Sequence, residues 1–172
     1  AEINRLVHWF DVIFKKEVFD PIIYEKVFSR IVDNYREKAE INRLVHWFDV
    51  IFKKEVFDPI MYEKVYSRII DNITPNSENI RAALQNLDFH IQYFNFLLDS
   101  KNYFIKDELT YLDFLAAANF SVLDYLGLLN LKSHENIREW YFKLKSRPSF
   151  RTLLKDQIVG LNPHENYKNM DI

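Results

Sequence analysis

The chain has no cysteine and only two glycines, Gly127 and Gly160, among 172 residues. The first absence removes disulfides and thiolate catalysis, and it fits a reducing, cytoplasmic compartment. The second argues against an α/β architecture, which uses glycine at its turns and phosphate loops. Prolines are few, at 21, 59, 75, 148 and 163, so long stretches carry no helix breaker. No apolar run approaches the roughly 20 residues of a membrane span, and no membrane partner is expected. Glu2, Asn4 and Arg5 interrupt the apolar positions where a secretory leader would lie. Neither sign of charge dominates, with 23 basic and 25 acidic side chains. Lys132 to Lys155 leans basic, but a solvated helix face is the expectation there, and no nucleic-acid partner.

What is present is apolar and aromatic. Hydrophobic residues make up 48% and aromatic ones 16%, which predicts a folded core. The sequence also repeats itself. Ala1–Asn34 recurs as Ala39–Asn72, and only Ile23/Met61, Phe28/Tyr66 and Val32/Ile70 differ. A solenoid needs three or more repeats, and no third copy follows. The reading is one complete helical domain over 36–160, preceded by a spare copy of its first segment over 1–35 and followed by a loosely held polar tail over 161–172.

Within the domain, Ile41, Leu44, Phe48, Ile51 and Phe52 recur at three- and four-residue steps, predicting a helix over 36–57. Asp58-Pro59 is expected to break it, because the residue before proline resists the helical region. A shorter helix is predicted over 60–71, then a turn at 73–77 and a long helix over 78–99. Thr110-Tyr111-Leu112-Asp113 fits a capping box opening a further helix, with Ala116, Ala117 and Ala118 for close packing. Gly127 is a suitable C-terminal cap for that helix. Helices over 134–145 and from Pro148 onward complete the set.

This succession resembles the C-terminal helical domain of the glutathione transferase superfamily. The family opens a buried central helix with a Ser/Thr-x-x-Asp box, matched by Thr110 and Asp113. It often ends a later helix with a variant of Ser-Arg-Pro-Ser-Phe, matched at Ser146 to Phe150. Ala39 to Asp49 is similar to the opening helix of bacterial members. Two positions depart from the pattern, Lys106 where Gly is common and Leu112 where Ala is. The resemblance implies an all-α bundle of five or six helices with an extra N-terminal helical segment. It also implies a thioredoxin-like domain that holds glutathione and activates its thiol, and no segment before Arg36 reads as that domain. Glutathione is therefore expected as a cofactor only together with such a domain.

No catalytic residue is expected in this chain. The five histidines, His8, His46, His90, His134 and His164, show no i, i+4 pair, so no metal site is expected. Asp113 is expected to be structural. Asn42, His46, Asp49 and Lys53 form a polar stripe on the first helix; a solvated face accounts for such a stripe, and the resemblance would place it in the cleft between domains. Copy one carries Leu6, Trp9, Phe10 and Phe14 with no groove of its own, which predicts a homo-oligomer; the alternative is that it folds back as an extra helical pair on its own domain.

Overall fold

The computed structural model describes residues 35–169 apart from 70, 72, 152, 156, 157 and 159; the first copy, 1–34, lies outside the described residues. The architecture is all-helical, and among the described residues the only strand-like pairing is an isolated bridge between Ile158 and Leu161. Helix α1 begins as Tyr35–His46 and runs on as Trp47–Phe57 with the wider i→i+5 hydrogen-bond pattern. Helix α2 follows without a gap as Asp58–Met61, Tyr62–Tyr66 and Ser67–Ile69. Helix α3 is Ser77–Leu97, α4 is Tyr111–Tyr125 and α5 is Glu135–Lys145. A single turn α6, Pro148–Arg151, and a 3-10 turn, Leu153–Lys155, replace the longer last helix expected from the sequence.

The widened turn of α1 follows from its apolar spacing. Leu44, Phe48, Phe52, Val56 and Ile60 stand four residues apart, and all are at most 1% exposed. In a helix of 3.6 residues per turn such a row drifts around the barrel by about 40° per step. A wider turn drifts such a row in the opposite sense, so the change of winding within α1 leaves it facing the core. Ile51, expected on this face, is only half-buried.

The expected break at Asp58–Pro59 does not occur. Asp58 is helical, with φ −62° and ψ −45°, and its N–H bonds the carbonyl of Lys53 five residues back. Pro59 has no N–H to give to a carbonyl of the preceding turn, and the chain stays helical through it. Asn86 of α3 donates from its Nδ2 to the nearby Glu55 carbonyl at 3.1 Å, a tertiary contact beside the proline.

Helix α3 is the central strut. It packs against the second half of α1, against α2 and against α5, while α4 packs on α5 and α1. Asn76 caps its N-terminus, accepting from the amides of Glu78 at 2.9 Å and Asn79 at 3.3 Å. Buried Glu63 of α2 ties the turn down, accepting from Asn76 N at 2.7 Å and Asn79 Nδ2 at 2.8 Å. At the far end of α4, Gly127 adopts φ +68°. Its N–H bonds the Asp124 carbonyl, and the Leu128 N–H bonds that of Leu123, both at 2.9 Å. This is a Schellman closure, the role expected of Gly127.

The described part of the tail, 161–169, is anchored at Tyr167. The Tyr167 ring is 3% exposed and packs edge-on against Tyr125 at 5.1 Å. Its hydroxyl shares a 2.8 Å hydrogen bond with Ser121, and the His164 N–H donates to the Tyr125 carbonyl at 2.8 Å. One aromatic anchor therefore fastens a segment whose average composition is polar.

Candidate functional site

The polar stripe lies where helical spacing puts it. Asn42, His46 and Asp49 are exposed on α1, and Lys53 is half-exposed, paired with the Asp58 carboxylate. The opposite side of the same helix is buried in the core. All four are therefore accessible on α1, with a solvent-screened ion pair at Lys53.

Next to the stripe sits an arrangement that the sequence does not reveal. The Trp47 indole N–H donates to His90 Nδ1 at 3.0 Å, and His90 Nε2 lies 3.1 Å from Glu55 Oε2. Since the indole can only donate, Nδ1 is the acceptor and Nε2 carries the proton toward Glu55. His90 is 5% exposed. Burial depresses its pKa below the ordinary 6.5, and the Glu55 carboxylate only partly offsets this. Trp47 also stacks on Tyr93 at 4.8 Å. The partners of His90 lie 43 and 35 residues away in sequence, so no local motif could announce them.

The capping box forms as the sequence predicts, and it does more than cap. Asp113 is wholly buried. Its Oδ2 accepts from the Thr110 amide and hydroxyl, each at 2.9 Å. Its Oδ1 accepts from Trp140 Nε1 at 2.9 Å and the Phe104 amide at 3.1 Å. One carboxylate thus joins α4, α5 and the loop before α4. Burial pushes its pKa up, against the pull of those four donors. With every lone-pair direction occupied, it has no capacity left for a substrate.

A third polar cluster lies at the far end of the bundle. Lys145 belongs to the basic stretch expected to be solvated, yet it is 1% exposed. Its ammonium bonds Asp124 Oδ2 at 2.8 Å and lies 5.3 Å from the centre of the Tyr167 ring. The Tyr141 hydroxyl donates to the same carboxylate oxygen at 3.0 Å. Burial, and then the Asp124 charge, raise the Tyr141 pKa well above the usual range. Lys145 and Asp124 border a cavity of about 130 Å3, together with Lys132, Arg138 and His164. Among the described residues no group of three or more His, Cys, Asp or Glu side chains could hold a metal ion. No helix among them is long and apolar enough to cross a membrane.

Residues 63–157 match the family model for the glutathione S-transferase C-terminal domain. A glutathione S-transferase from Rhodospirillum rubrum F11 is 37% identical, with a TM-score of 0.79, over 87% of this chain and 68% of that one. FtsZ-localized protein A of Caulobacter vibrioides is 36% identical over 171 residues, and the chain spans 58% of its length. The solved structure of FzlA from C. crescentus aligns with a TM-score of 0.79 at 32% identity, over 93% of this chain and 67% of that one. With its helical bundle and buried Thr110–Asp113 box, the chain belongs to the glutathione S-transferase family and carries its C-terminal helical domain.

Proposed function

We propose that this chain supplies the electrophile-side wall of a cleft that a thioredoxin-like domain completes, and that it conjugates no glutathione by itself. The observation that carries this reading is the accessibility of Asn42, His46, Asp49 and Lys53 on α1, while Leu44, Phe48, Phe52 and Val56 of the same helix are buried in the core. Thiol activation needs preorganised donors around the sulfur. The Asp113 carboxylate is saturated, and His90 is enclosed between Trp47 and Glu55. The test is calorimetry with glutathione together with an aryl-halide conjugation assay. Neither binding nor turnover above the uncatalysed rate is expected, and measurable turnover by the 172-residue chain would overturn the proposal.

A second reading, a non-catalytic protein-interaction module, has its own support. Phe89 and Phe96 stand seven residues apart on α3 and are 70% and 72% exposed. Large apolar side chains left in water at helical spacing are what a partner surface uses. The relative named FtsZ-localized protein A makes FtsZ the partner to try. Co-sedimentation with FtsZ filaments that F89A/F96A abolishes would favour this reading. Equal pelleting with and without filaments would discard it. In either reading the protein works as a homo-oligomer in the cytoplasm.

A further inference from the structure

Two segments of this chain carry the side chains that fill one groove. The groove is the face of α3 and α4 on which α1 and α2 lie. Phe48 stacks on Phe94 at 4.7 Å, and Phe52 meets His90 at 5.2 Å and Phe120 at 6.2 Å. Trp47 and Glu55 bracket His90, and Glu63 holds the turn into α3. Each of these five residues has an identical counterpart in the first copy: Trp9, Phe10, Phe14, Glu17 and Glu25. Of the three differences, Ile23 replaces buried Met61, a change of similar volume. Phe28 stands for half-buried Tyr66, and the third exchanges Ile70 for valine.

We propose that the groove on α3 and α4 is a binding site for Ala1–Asn34 of the same chain, which seats there in place of Ala39–Asn72. The two seatings share these five groove-facing residues and differ chiefly in the connection to α3. The second copy joins it through four residues, 73–76, and the first through 42 residues, 35–76. Loop closure weakens as the three-halves power of length, which favours the second copy roughly thirty-fold. The seated first copy presents Asn4, His8, Asp11 and Lys15 in place of the α1 stripe, so the outward surface is conserved in the exchange.

Denaturant unfolding of four 172-residue chains, the parent and three variants, tests the exchange. Phe14→Asp disables only the minor seating, and the unfolding equilibrium should match that of the parent chain. Phe52→Asp should leave a cooperative transition with an equilibrium constant shifted roughly thirty-fold toward unfolding. Phe14→Asp/Phe52→Asp should lose the transition. If Phe52→Asp is as unstable as the double variant, or if the double variant is as stable as the parent, the proposal fails. The cysteine-free sequence allows a second readout. With Phe52→Asp, a disulfide between Glu17→Cys and Asn86→Cys should form within one chain, since Asn86 contacts Glu55 in the described seating. Its absence, or its formation only between chains, overturns the exchange even if the unfolding data agree.

Discussion

Asp113 and His90 respond to pH in opposite senses. The Asp113 pKa is raised on folding, so its contribution is fully present below the ordinary carboxylate value of 3.8 and is lost as pH rises through the raised value. The His90 pKa is lowered, so its contribution is fully present above 6.5 and is lost as pH falls toward the depressed value. Falling pH below 6.5 should therefore destabilise the fold through His90, because a proton on Nδ1 breaks the Trp47 bond. Comparing His90→Gln with the parent chain from pH 7.5 to 5 by urea unfolding checks this; an unchanged slope with pH would refute it. Asp113→Ala leaves Trp140 Nε1 and the Phe104 and Thr110 amides without their acceptor. Buried unpaired donors cost about 1–3 kcal/mol each, so a loss of about 3–5 kcal/mol is expected. Gly127→Ala is the corresponding backbone test. Its φ of +68° disfavours any Cβ, and the new atom would lie 2.8 Å from His164 Cγ. A loss of about 1–3 kcal/mol in the urea midpoint analysis is expected.

For α1 and α2, the telling feature is continuity through Pro59. Local sequence predicts two helices, and the chain instead runs helically through Asp58 and Pro59, with Asn86 donating to the Glu55 carbonyl beside them. That hydrogen bond is exposed, so Asn86→Ala should cost no more than about 1 kcal/mol in urea unfolding; a larger loss would mean that the contact does more than one solvated hydrogen bond can. The helix caps behave differently, because their signals are local. Asn76, Thr110 with Asp113, and Gly127 each act within a few residues, and each occupies the position its chemistry suits.

For the whole molecule, the copy that is out of the groove retains apolar side chains with no site in the described domain. Burying each such side chain is worth about 1.5–3 kcal/mol, which drives the association proposed here. Light scattering after size exclusion should give a mass above that of one chain, and removal of Ala1–Asn34 should reduce it. A strictly monomeric mass at high micromolar concentration would exclude the homo-oligomer.

The sequence by itself determined the helical class, the capping box, the Gly127 closure and the repeat, since each depends on spacing within a few residues or on direct comparison of two segments. It also placed Asn42, His46, Asp49 and Lys53 on the first helix, where the first three are exposed and Lys53 is half-exposed. Tertiary structure alone decided the rest. Lys145 reads as one more surface cation until Asp124, 21 residues away, and the Tyr167 ring enclose it. The polar tail reads as loose until Tyr167 finds Ser121 across 46 residues. His90 is an isolated histidine until folding places Trp47 on one nitrogen and Glu55 on the other. Burial of a polar group depends on partners that local pattern does not contain, and only the packed chain supplies them.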